Sequence, residues 1–378
     1  MPLGSCTKKY TTVEREETMR IALVGFAPHQ KSRSEDFFVS ILERNGIEVH
    51  QFWSDGWQGG KDLSIRMLEG FSAIVMWQVT CRAFRPYARY CDNITFVPML
   101  DNHVTNTPEA LAQLRRDRNF WQMFGETKIL SFSKTLHEAM HTLGLYSRYF
   151  QCFAPPAPRP VQRDGLHGFF WLRREDVIST DIIATLTEGT QFDSMHVHIG
   201  SNSKHIDFTV PQSWQQWNVT VSTWFDNADS YRNLLSEKNI FFAPRPVEGI
   251  GFSFLEAMGR GHCVVAPNFP TMNEYLQHGQ TGLLYDLHAP QPLCFDGISA
   301  IGRRAWELTT RGYAQWQGMQ EELLEYILAP NRKVYAAWTG QPLRAHMPLK
   351  RKILNLKMLR PFFRCLSRCK ARWKEGLP

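Results

Sequence analysis

The stretch from Pro246 to Asp286 constrains this 378-residue chain more than any other. Glu248 is followed by Gly249 and Gly251, and glycines so spaced read as a turn that brings backbone close to a ligand. Phe252 to Gly259 reads as a short helix carrying Glu256, with Gly261 as its left-handed stop. Cys263-Val-Val-Ala266 then reads as a buried strand. The first amides of a helix have no intrahelical partner and lie at the positive end of its dipole, which suits a diphosphate. A carboxylate on the same helix can accept two hydrogen bonds from a vicinal diol such as a ribose. The plainer alternative is a buried loop, helix and strand bearing two solvated glutamates.

Upstream, the periodicity alternates in the same way. Met19-Arg-Ile-Ala-Leu-Val-Gly25 predicts a buried parallel strand, and Phe26–Arg33 a loop. A helix is predicted through about Arg44, with Ser34 as N-cap. Further strands are expected over 47–53, 71–78 and 95–100, then a strand over 128–133 and a helix over 133–143. Phe153-Ala-Pro-Pro-Ala-Pro-Arg-Pro160 holds four prolines in eight residues and predicts a semi-rigid linker. After it, strands over 168–174, 195–200 and 240–243 alternate with helices over 176–186 and 230–237. Helices over 301–310 and 316–328 close the pattern. Such alternation specifies doubly wound α/β domains, whose ligands sit beyond the strand carboxyl ends. Gly25-Phe-Ala-Pro-His29 has one glycine where a dinucleotide fingerprint needs three.

Glu248, Glu256, Glu274, Gly279, Thr281, Gly282, Leu283 and Leu284 fall in order on a signature of two glutamates eight apart followed by Glu-x4-Gly-x-Thr-Gly-Leu-Leu. In this the chain resembles retaining glycosyltransferases of the GT-B fold, family 4 type. The resemblance implies an α/β chain of two Rossmann-like domains facing each other across a cleft. Residues 19–155 would form the acceptor-side domain, 156–330 the nucleotide-sugar domain and 331–349 a connecting segment, and a C-terminal helix would cross back onto the first domain. It implies transfer of a sugar from a nucleotide-sugar donor to a glycan or lipid-linked acceptor with retention, and no cofactor or metal; no Asp-x-Asp pair occurs. Glu256 would hold the ribose, the backbone of Gly249, Ile250, Gly251, Phe252 and Ser253 the diphosphate, and Glu248 the transferred sugar. His103, just after a strand, takes the place of a sugar-contacting histidine, with Asp101 close behind; a capping aspartate and a surface histidine are the alternative. Arg173 takes the place of a diphosphate-binding arginine, whereas the family's lysine five residues on is Ile178 here, leaving Arg174 to substitute. The glycine-rich loop common in the family after its first strand is missing. A catalytically degenerate GT-B binding module, or an epimerase or phosphorylase of the same fold, would also fit these departures.

His137-Glu-Ala-Met-His141 matches HExxH, a zinc-protease helix in which both histidines share one face. The third ligand of the extended form would fall at Ser147. The strand–Ser–helix context matches the resemblance instead, and a metalloprotease is the lesser alternative.

Charge is unevenly placed. Residues 350–378 carry ten Lys or Arg against Glu375, a balance of +9 within a chain total of +7, so residues 1–349 sum to about −2. That weighs against a nucleic-acid-binding body. The cations of this tail are interleaved with Leu, Phe and Trp, a composition that fits an anionic membrane surface as well as a solvated tail. Eight scattered cysteines without a CxxC favour reduced thiols and a cytoplasmic setting, peripheral to the membrane if the tail binds lipid. Residues 1–18 lack the apolar core of a secretion signal and read as a leader, with Met1–Ser5 resembling a remnant of cloning.

Overall fold

A computed structural model describes residues 19–54, 63–78, 92–121, 124–200, 208–223, 225 and 228–338. The leader and the basic tail lie outside the described residues.

Two six-stranded sheets, parallel throughout, organise the chain. The first contains β1 (Arg20–Phe26), β2 (Glu48–Ser54), β3 (Ala73–Trp77), β4 (Ile94–Val97), β5 (Lys128–Ser131) and β6 (Ser147–Tyr149), in the order β2-β1-β3-β4-β5-β6. Ile21 to Val24 and all of β3 are buried, as strands covered on both faces must be. Around this sheet lie α1 (His29–Ser32), α2 (Asp36–Arg44), α3 (Pro108–Leu114), α4 (Arg118–Trp121) and α5 (Lys134–Thr142).

The second sheet contains β7 (His167–Leu172), β8 (Ser194–Ile199), β9 (Asn218–Ser222), β10 (Ile240–Phe242), β11 (Cys263–Pro267) and β12 (Leu283–Tyr285). Its order is β12-β11-β10-β7-β8-β9, so the chain winds one way from β7 and the other way from β10. The β7/β10 boundary is therefore the switch point of this sheet, where doubly wound folds open a crevice. Helices α6 (Thr180–Leu186), α7 (Ala228–Ser236), α8 (Phe252–Arg260) and α9 (Ile298–Gly318) accompany it, and α10 (Gln320–Leu328) and α11 (Asn331–Ala337) end the described chain. Asp101, after β4, pairs with Arg245, after β10, so the carboxyl ends of the two sheets face each other. This is the GT-B arrangement expected from the sequence.

Several local expectations are corrected. Ser34 does not cap α2; its hydroxyl donates to Glu35 Oε2 at 2.7 Å, and Glu35 occupies the cap position without a side-chain bond to the helix amides. The helix expected from Asp176 begins at Thr180, where Ser179 Oγ accepts from the Ile182 amide. The interruption expected between 310 and 316 is absent. There α9 runs on through Gly312, where a side chain would come within 2.4 Å of Phe153.

The two halves are clasped by polar groups that cross between them. Lys128, on β5, is fully buried. Its ammonium donates to Asn93 Oδ1 at 2.8 Å, Tyr326 O at 2.7 Å and Ile327 O at 2.8 Å, and also to Ala329 O. These carbonyls close the C-terminus of α10, so a cation meets the negative end of that helix. Tyr326 Oη donates to Ile129 O, and Tyr335 Oη to Thr127 O, which ties α10 and α11 onto the first sheet. Glu274, from the second half, accepts from Ser133 Oγ at 2.8 Å and from the amides of Lys134 and Thr135 at 2.7 and 3.0 Å. It thereby caps α5 of the first half. The proline-rich linker is itself held against α8 by Ala157 N to Gly259 O and Val161 N to Arg260 O.

Replacing Lys128 with Met leaves these buried acceptors without their donor, at about 1–3 kcal/mol for each group left unsatisfied. The expected loss in K128M is at least about 3 kcal/mol, read as a lower denaturant midpoint. A loss under about 1 kcal/mol would show that the clasp carries little.

Candidate active site

The loop entering α8 has one solution. Gly251 sits at φ +82°, a conformation side chains disfavour, and a Cβ there would lie 2.1 Å from the Phe254 ring. At Gly249 a Cβ would come within 2.8 Å of Met99 Cβ, so the loop passes directly under the first half. Thr271 Oγ1 donates to Glu248 O at 2.6 Å and fixes the turn from below. No side chain caps α8, so the amides of its first turn have no side-chain cap partner. The helix ends at Gly261, φ +85°, as its sequence predicts.

Beside this turn lies a charge cluster. Arg245 Nη2 stands 2.9 Å from Asp101 Oδ2, and Arg245 Nη1 donates to Glu248 Oε2 at 3.3 Å. Glu248 is 8% exposed. Burial pushes its carboxyl up to about 7; Arg245 and Arg173 pull it down, and Asp101 adds to the rise. One oxygen of Asp101, Oδ1, is buried without a hydrogen-bond partner. Across the cleft floor, α1 occupies the loop after β1, with His29 Nδ1 3.5 Å from Glu35 Oε2 and Glu35 almost wholly buried. Burial lowers the pKa of His29, against the pull of Glu35 and Asp101. Glu35 and His29 thus stand after β1, where the resemblance leads one to look for glycines.

The structure brings some of the sequence-derived residues together and separates others. Glu248, Gly249, Ile250, Gly251, Phe252 and Ser253 form the turn itself, and Glu256 follows one helical turn later. The Glu256 carboxyl is open to solvent, yet the protein packed beside it raises its pKa by desolvation, opposed by Arg260 and Arg232. Arg173 lies over the Trp171 ring at 5.1 Å and makes no hydrogen bond or ion pair among the described residues. It is electrostatically coupled to Arg245, Glu248 and Asp101. Arg174 is turned to the surface, where it grips Asp176 through two hydrogen bonds of 2.8 Å. Ile178 is core, 1% exposed. His103 packs against Phe120 and Trp121, with ring centroids 5.4 and 4.8 Å away, and burial lowers its pKa to about 4. It is neutral at pH 7.

The HExxH helix is α5. Ring centroids of His137 and His141 are 4.3 Å apart, but His141 Nε2 donates to Ser147 O at 3.0 Å, and Glu138 is exposed. Among the described residues no three His, Cys, Asp or Glu side chains converge as a ligand set. Arg245 is the participant that sequence reasoning missed. Its signal was available: an arginine three residues past the end of a strand and three before Glu248.

Residues 213–293 match the family model for glycosyl transferases group 1. The segment includes β10, the turn, α8 and Glu274. No curated protein matches the chain. Among solved structures, a sucrose-phosphate synthase from Thermosynechococcus elongatus is similar at TM-score 0.59 and 14% identity, covering 85% of this chain and 100% of that one. Anabaena HepE in complex with UDP-glucose gives TM-score 0.54 and 15% identity, over 81% of this chain and 99% of that one. The lipopolysaccharide outer core galactosyltransferase WaaB in its apo form gives TM-score 0.50 and 13% identity, over 85% and 100%. These likenesses establish the GT-B fold.

The raised pKa of Glu248 has a consequence for stability. Between pH 4.5 and about 7 the folded state keeps a proton there that the unfolded state has lost, so this group's contribution falls as pH rises through that window. Glu248→Gln mimics the neutral form. The difference in Tm between E248Q and the parent is expected to shift in favour of E248Q from pH 5 to pH 8. A pH-independent difference would contradict the assignment.

Proposed function

We propose that this GT-B chain is a glycosyltransferase that takes a sugar from a nucleotide-diphosphate donor bound along the turn and helix α8. One observation carries the reading. The segment matching glycosyl transferases group 1 coincides with the wall that presents the uncapped helix start, Glu248 and Glu256 at one end of the cleft.

In this reading the acceptor hydroxyl attacks the anomeric carbon as the bond to the β-phosphate oxygen breaks. The acceptor proton leaves with the nucleoside diphosphate or to solvent. Charge grows on the departing phosphate, and the Gly249–Ser253 backbone with Arg173 meets it without reorganising. Glu256 accepts from the ribose hydroxyls. Glu248, its carboxyl pushed up to about 7 by burial and held by Arg245, orients hydroxyls of the transferred sugar. The family resemblance supports retention at the anomeric carbon and the assignment of His103 to the transferred sugar. The chain's own cations and amides are assigned the diphosphate charge, so activity is expected to survive EDTA.

Incubation with UDP-, GDP- and dTDP-sugars should release nucleotide from one of them. Glu256→Ala is expected to raise KM for that donor about 10–100-fold, the value of charge-assisted bonds of about 1.5–3 kcal/mol. Absence of both nucleotide release and a thermal shift with any nucleotide would overturn the enzyme reading, leaving the degenerate binding module.

The acceptor is assigned to a membrane surface on the composition of residues 350–378, which lie outside the described structure. No helix among the described residues is long and apolar enough to cross a membrane. Deleting 350–378 should abolish sedimentation with phosphatidylserine vesicles; unchanged sedimentation would remove the membrane from this proposal.

A further inference from the structure

If the donor's diphosphate lies at the start of α8, the site needs more positive charge than Arg173 alone supplies. The lysine position is filled by Ile178, sealed in the core, and Arg174 is committed to Asp176 at the surface. Strand register shows where the second cation is. β7 and β10 are hydrogen-bonded neighbours, with Phe170 opposite Phe242. Arg173 and Arg245 each follow their strand three residues past that pair. They flank the β7/β10 switch point, the crevice where a parallel sheet of this winding receives its ligand. Arg245 is 28% exposed at its side chain and meets Asp101 of the first half at 2.9 Å.

We propose that Arg245 is the second diphosphate-binding cation of the donor site, paired with Arg173 across the switch point and held between ligands by Asp101. This rests on the nucleotide-sugar reading above. Two guanidiniums aimed at one crevice repel each other, and the lowered pKa of Arg173 has Arg245 among its causes after burial. Asp101 and Glu248 offset that repulsion when no anion is bound. Asp101 reaches Arg245 at 2.9 Å with one oxygen and leaves the other buried and unpartnered. A diphosphate entering the crevice offers Arg245 a bidentate partner of higher charge than the aspartate, and guanidinium geometry favours the exchange. Because Asp101 belongs to the first half and Arg245 to the second, the exchange also releases an ion pair across the cleft.

The test compares binding of UDP, GDP and dTDP, and of the matching monophosphates, to the full chain by calorimetry. The pair used is the one whose diphosphate binds the parent most tightly. Arg245→Gln is expected to lower diphosphate affinity at least tenfold while monophosphate affinity changes less than threefold. Arg245→Lys should recover part of the loss, and Asp101→Asn should tighten diphosphate binding about 3–10-fold. A folded R245Q protein with an unchanged diphosphate-to-monophosphate ratio overturns the assignment of Arg245 and leaves the donor site standing. If R245Q does not fold, D101N decides: unchanged or weaker diphosphate binding overturns the proposal. Failure of the parent to bind any nucleotide overturns both this inference and the donor reading beneath it.

Discussion

The ammonium of Lys128 is the constraint on which the remaining geometry rests. A buried cation is costly unless its donors are met, and here carbonyls from the end of α10 and the amide oxygen of Asn93 meet them. The bond network works in both directions, because those carbonyls would otherwise be orphans at a helix terminus. Its effect is to seat the C-terminal helices on the first sheet. With the last described helices fixed there, the carboxyl edge of the second sheet lies toward that of the first, where Arg245 meets Asp101. The cleft is thus a product of polar satisfaction far from its mouth.

Within the cleft, charge is balanced tightly. Arg173 and Arg245 face Glu248 and Asp101, and at Glu248 burial outweighs the two arginines and pushes the carboxyl up to about 7. Small changes in what occupies the crevice therefore redistribute protons and ion pairs among these four groups. Among the described residues, the first-domain side contributes acid and imidazole in Glu35, Asp101 and His29. Arg173 and Arg245 lie on the second domain, the side that also holds the segment matching glycosyl transferases group 1.

Much of this was legible in the sequence. Strands such as Ile21–Val24 and Cys263–Ala266 are continuous apolar runs, and Gly251 and Gly261 mark the bounds of α8 because few other residues tolerate a positive φ. The short edge strands β6 and β12 and the polar β9 were not legible, since three residues or an exposed alternation give no periodic signal. The continuity of α9 through Gly312 was hidden as well, because that glycine answers the Phe153 ring and not the helix. At the site, Glu248 and Glu256 were marked by their spacing. Lys128 was not, because a lone cation whose partners lie far along the chain acquires them only on folding, whereas Arg245 was marked by its place three residues before Glu248.

Glu274 supplies the opening turn of a helix more than a hundred residues upstream, and that changes what the word domain means here. Each half carries hydrogen-bonding groups that only the other half can satisfy, at α5 for one and at the end of α10 for the other. A ribosome that has released only the first 155 residues has made a sheet whose last helix start and whose Lys128 both await chain not yet synthesised. Folding of this chain should therefore be cooperative across both sheets, and the linker marks a change of direction in space without dividing the molecule into units that mature separately.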